Sequence, residues 1–188
     1  MEESNDPDFI IDMMVENRSS GEVQEAGCLK LAKLTVNDDA ENKAVVAKGG
    51  IEAVVKAMGA HALRGTLQEI GCLMLWMFAM LDENQAVVAA KGGIEAVVGA
   101  MRAHGSIADL QFKACLTLLS IAWSDPKLQS QVCSAGAIPL VEKALRAFPS
   151  EAKLQQNGKQ LLGMLVLDPT PRLPHTEQHP PEVCCTLA

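Results

Sequence analysis

Tyrosine is absent from this sequence, and four Phe and two Trp leave aromatics at 3% of the residues. No segment carries a strand signal. Ala, Leu, Val and nine Met dominate instead, a mixture suited to helices packed by aliphatic side chains. Long apolar runs are missing as well: the longest, Gly71 to Leu81, is far short of the roughly 18 residues of a membrane-spanning helix. The first residues, Met1-Glu2-Glu3-Ser4, have neither the basic and apolar regions of a secretory signal nor the Gly at the second position that N-myristoylation uses. A cytoplasmic or nuclear chain is the expectation. Gly and Pro, 14 and 9 of 188 residues, are too few for collagen-like or low-complexity classes.

Chemistry is scarce too. No phosphate loop, nucleophile elbow or His-Glu-x-x-His pattern occurs, and no pair of carboxylates stands apart from ordinary surface charge. The chain reads as a non-enzyme with no cofactor. His175, His179, Cys184 and Cys185 are ligand types that zinc accepts, but their irregular spacing in a Pro-rich segment sets no metal site. Cys28, Cys72 and Cys115 fall inside apolar helical patterns, where a free thiol behaves as a small hydrophobe. A basic stripe is lacking: residues 19–167 hold 14 acids and 14 bases, so nucleic acid is not an expected partner. The net charge of −7 owes most to residues 1–17, with six acids and no base. Asp6 and Asp8 there suit a helix N-terminus.

What the chain has is 48% apolar residues, enough to bury one domain's core, and a repeat. Ala47-Lys48-Gly49-Gly50-Ile51-Glu52-Ala53-Val54-Val55 recurs unchanged as Ala90 to Val98, a shift of 43 that also brings His61 onto His104. A looser copy reads Ala135-Gly136-Ala137-Ile138-Pro139-Leu140-Val141. Val23-Gln24, Leu67-Gln68, Leu110-Gln111 and Leu154-Gln155 recur at 44, 43 and 44 residues, each opening a stretch of helical apolar spacing. Periods of this length belong to helical solenoids. Breakers and caps divide a unit into three helices: Glu83 to Lys91 after Asp82, then Ile94 to Ala103 after Gly92-Gly93, then a longer helix beyond Gly105. Ser106 with Asp109, Thr66 with Glu69 and Ser19 with Glu22 are the expected capping pairs of that third helix. Asp125-Pro126 supplies a cap and a first-turn proline for the last unit's opening helix. His61 and His104, at the ends of second helices, are expected to meet free carbonyls there.

Gly-Gly-Ile-Glu-Ala-Val-Val followed by a Leu-Gln helix resembles the armadillo repeat. The resemblance covers about residues 7–167 and implies an all-α, right-handed armadillo-type α-solenoid with third helices on the concave side. Its units are about 7–37 (partial), 38–81, 82–124 and 125–167, within one domain over residues 1–167. Members of the family hold peptides along the concave groove with an Asn ladder on the third helices; the matching residues here are Lys33, Met77, Ser120 and Met164, none of them Asn. Four residues earlier, where some members carry Trp, stand Leu29, Leu73, Leu116 and Gln160. The implied function is an adaptor or scaffold that binds a protein segment, with a more apolar groove centred on Leu73, Met77 and Leu116 and suited to a partner helix. The other reading of these leucines is that they belong wholly to the core.

Gly27, Gly71, Ala114 and Gly158 share one site of the third helix, where small residues let helices cross closely. The final third helix stays apolar through Leu161, Leu162, Met164, Leu165 and Leu167 with no polar cap, so either the following segment or another chain covers it, and self-association is expected. From Asp168 the texture changes. Pro169, Pro171, Pro174, Pro180 and Pro181 point to a disordered tail over residues 168–188. It ends Cys185-Thr186-Leu187-Ala188, a prenylation box, with Cys184 a candidate for palmitoylation. The alternative function is therefore a lipid-anchored membrane organiser, with membrane contact only through that lipid.

Overall fold

The computed structural model describes residues 6–36 and 38–167. The tail over residues 168–188, with the lipidation candidates Cys184 and Cys185, lies outside the described residues. Among those described there are eleven α-helices and no strand: α1 Pro7–Glu16, α2 Gly21–Thr35, α3 Asp39–Ala47, α4 Gly50–Ala60, α5 Gly65–Ala79, α6 Asp82–Ala90, α7 Gly93–Ala103, α8 Ala108–Ile121, α9 Pro126–Ser134, α10 Ala137–Ala147 and α11 Ala152–Leu167. The fold is all-α and repeat-like. A short helix, an eleven-residue helix and a longer helix recur three times after an initial pair. No helix among the described residues is long and apolar enough to cross a membrane.

The double glycine divides its work between its two members. Gly49 and Gly92 sit at φ +89° and +86°, the left-handed region where a side chain is strained, and Gly136 does the same at +83°. Gly50 and Gly93 are helical, and a Cβ on either would lie 2.5 Å from Cγ1 of Val45 or Val88 and under 3 Å from that valine's carbonyl oxygen. The first glycine turns the chain and the second lets two helices meet almost backbone to backbone. In the last unit Ala137 holds the second place.

The longer helices α2, α5, α8 and α11 pack one on the next, as do α1, α4, α7 and α10, and the substantial helix contacts run within a unit or between consecutive ones. The core lies between these two rows. It joins Met14, Met58 and Met101 to Cys28, Cys72, Cys115 and the aliphatic sides of the longer helices. The shared small site has the expected steric cause: a Cβ at Gly71 would fall 2.5 Å from Met58, and one at Gly158 would fall 2.8 Å from Leu145.

Four expected caps are displaced. Ser20, not Ser19, caps α2 by accepting from the Val23 N–H, while α5 and α8 follow Arg64 and Ile107 with no side-chain cap, so Thr66 lies inside its helix and Ser106 outside its own. Asp82 is the first residue of α6 rather than its cap, a place taken by Leu81. Asp125 caps α9 as its sequence indicates.

Candidate interaction surface

The recurrent glutamine fixes where each longer helix sits. Gln68 Nε2 donates to the carbonyls of Met58 (2.9 Å) and His61 (3.1 Å) at the C-terminal end of α4, where the His61 carbonyl also accepts from the Arg64 N–H. Gln24 does the same to Met14 and Asn17, Gln111 to Met101 and His104, and Gln155 to Leu145 and Phe148. A side-chain amide has two N–H donors, so one residue can serve both carbonyls. His61 and His104 add a second tie: their Nε2–H donates over 2.8 Å to the carbonyls of Arg18 and Ala62, in the preceding unit's turn.

Polar side chains continue the links from unit to unit. Lys48 meets Asp8 at 2.8 Å and, one period on, Lys91 meets Glu52. Arg64 bridges Glu22 and Glu25 at 2.8 and 3.1 Å, and Lys113 pairs with Glu69. The hydrogen bond from Lys91 holds the Glu52 carboxyl below its ordinary range. In buried ground, Thr117 Oγ1 donates to the Cys72 carbonyl at 2.8 Å, and Asn42 Nδ2 donates at 2.8 Å to the carbonyl of Met77 in the last turn of α5, where helix carbonyls lack intrahelical partners.

These links set what the longer helices leave open. The seven groove residues expected from sequence divide sharply. Leu29 is half-buried and Lys33 exposed, but Leu73, Met77, Leu116, Ser120 and Met164 are all buried, none above 7% exposure. Those five are buried by packing: Leu73, Met77, Leu116 and Ser120 lie on α5 and α8, each with a longer helix on both sides, and Met164 lies on α11 against α8 and α9, while α2 has a longer helix on a single side. At matched register along the same face, the apolar residues that keep some surface are Leu29, Val36, Met80 and Phe112. Glu22, Lys33, Thr66, Asp109, Lys153 and Gln160 stand exposed around them. The sequence signal for Phe112 was masked because its counterparts Glu25 and Glu69 are acids. Val36 and Met80 share the register of Trp123 at the helix ends, and that column could have been found from the period alone.

No family model and no curated protein matches the sequence. Two solved structures share its fold. One engineered protein, a Northeast Structural Genomics Consortium target, superposes with a TM-score of 0.71 at 21% identity, over 85% of this chain and 62% of its own. A second engineered protein from the same consortium gives 0.52 at 18% identity, over 85% of this chain and 47% of its own. The chain thus spans less than two thirds of either, and the likeness is one of fold alone.

Among the described residues no cluster of three His, Cys, Asp or Glu could hold a metal ion. Burial pushes the thiols of Cys28, Cys72 and Cys115 up to about 12, so each stays protonated and inert at neutral pH. Among the described residues, a cleft of about 270 Å³ lies between α1 and α4, and one of about 490 Å³ lies between α9 and α11, lined by Cys133, Met164, Leu165 and Val166 among others.

Proposed function

We propose that the chain is an armadillo-type α-solenoid, a right-handed stack whose longer helices line the concave side, and that it serves as an adaptor holding a protein segment there by binding rather than catalysis. The support for this reading is the line of Leu29, Val36, Met80 and Phe112, partly buried residues that keep some surface, set in a rim of charged and polar residues along helices kept in one register by the glutamine clamps. An amphipathic helix or extended peptide with a few apolar anchors and mixed charge matches that surface. Its apolar residues would cover Met80 and Phe112, and its polar ones would meet Lys33, Asp109 and Lys153.

The experiment is a partner screen by crosslinking in cells, followed by titration of the partner against Met80→Glu and Phe112→Glu. Each substitution should weaken binding at least about tenfold, some 1.4 kcal/mol, while the melting temperature moves little. Leu116→Glu is the contrast. It buries a charge in the core and should lower the melting temperature sharply. A partner held equally well by both surface variants would remove this face from the proposal.

A further inference from the structure

The helix rows that meet at an interior junction have counterparts at the two ends that keep more surface. At the α1/α4 junction, Met14, Val15 and Arg18 line one side of the cleft and Ala53, Lys56, Ala57 and Ala60 the other; Met14, Ala53 and Ala57 are buried, while Val15, Arg18, Lys56 and Ala60 stay exposed at its rim. Shifted back by 44 residues, the second set falls on Phe9, Asp12, Met13 and Glu16 of α1. Shifted forward by the three periods, the first set falls on Leu145, Arg146 and Pro149 at the end of α10. Phe9 is 55% exposed where Ala53 is 7% exposed, and Val166 of α11 is 63% exposed where its counterparts Ala79 and Ala122 are fully buried. Both ends therefore present the surface that units use to stack.

Charge says what fits them. The described part of α1 and its cap carries Asp6, Asp8, Asp12 and Glu16 with no base, and Asp12 and Glu16 are exposed. The opposite end carries Lys143, Arg146, Lys153 and Lys159 against Glu142 and Glu151, with the Arg146 side chain 71% exposed. We infer that the occupant of each end is a second copy of this chain, docked head to tail, so that one copy's α1 continues the row of α10 in the next. In that step Arg146 meets Asp12 and Glu16 of the neighbouring copy, and Phe9 and Met13 cover Leu145 and Pro149. The contact is heterologous, so it does not close at two copies and chains can grow. This inference rests on the repeat reading proposed above.

The test measures mass by sedimentation and light scattering on the full chain across a wide concentration range. Mass should rise past the dimer as concentration rises. Arg146→Glu alone, and Asp12→Arg with Glu16→Arg alone, should each raise the dissociation constant at least about tenfold, since each places like charges face to face. The chain carrying all three substitutions should assemble again, because head and tail are once more opposite in sign; a head-to-head or tail-to-tail contact would not be restored this way. Three results overturn the inference: a wild-type chain that is monomeric throughout, a dimer indifferent to Arg146, or assembly only after removal of residues 168–188, which would make that segment the occupant. X-ray scattering from the dilute monomer reads the stacking of units separately. Stacked units that never assemble would sink this inference and leave the solenoid reading standing.

Discussion

Gln24, Gln68, Gln111 and Gln155 each direct an amide at two carbonyls at the end of the preceding helix, one of which also accepts from a backbone N–H of the following turn. Gln68 and Gln111 are both only 2% exposed. Gln111→Ala should cost about 1–3 kcal/mol, the range for leaving a buried acceptor, here the Met101 carbonyl, unsatisfied. Gln111→Glu is more informative. At pH 7 a carboxylate would face two carbonyl oxygens with nothing to donate, and burial disfavours its charge further, so its pKa in the folded state rises above the unfolded value near 4.3. A raised carboxyl pKa means that stability is retained below the unfolded pKa and lost as pH rises through the folded one. Urea midpoints should show the Glu variant close to the Ala variant at pH 4 and clearly below it at pH 7. An Ala variant with the wild-type midpoint would show that the clamp is dispensable. The repeat itself announced this glutamine, but spacing gives no direction for a side chain. Only the folded geometry shows that it serves the helix before it rather than the helix it opens.

At the scale of the element, glycines separate need from accident. Gly93 lies against Val88, and Gly92 is left-handed, so either Gly→Ala change should destabilise: the first by overpacking, about 1–3 kcal/mol, the second by backbone strain of about 1 kcal/mol or more. Gly59 and Gly99 sit inside α4 and α7, and a Cβ there meets nothing within 4 Å. Their replacement by Ala should stabilise by about 0.5–1 kcal/mol, since Ala loses less backbone freedom on folding. Thermal melts of the four variants test the contrast, and a stabilised Gly93→Ala would contradict the backbone approach described for that turn. Helix number and order were legible from these turns because a left-handed residue and a tight crossing restrict sequence strongly. Caps were less legible. α5 and α8 begin after Arg64 and Ile107, which have no side-chain acceptor placed for a cap, so a Ser or Thr nearby in sequence misplaces the boundary by one or two residues.

For the whole molecule, the consequence of stacking is unequal stability along the chain. α5 touches α2, α4, α6, α7 and α8, and every residue from Ile70 to Ala79 is buried, whereas α1 leaves Phe9 and Val15 about half exposed. That same inequality hid the groove from the sequence: Leu29 and Leu73 are the same residue at the same register, yet one is at an end and the other is covered on both sides. In an array where units contact mainly their neighbours, opening starts at the ends, because an end unit breaks one interface and a central unit breaks two. Hydrogen exchange on dilute protein should find the slowest amides in α5 and α8 and faster ones in α1 and α11. Met14→Ala and Met58→Ala make the sharper test, since both side chains are buried at equivalent register and each substitution should remove about 2–5 kcal/mol from its own site. Met14→Ala should speed exchange in α1 and α2 while α8 keeps its protection. Met58→Ala, which weakens the packing beneath α5, should lower protection on both sides of it. Equal losses everywhere from both variants would mean that the chain opens as one cooperative block, and the nearest-neighbour account of its stability would fail.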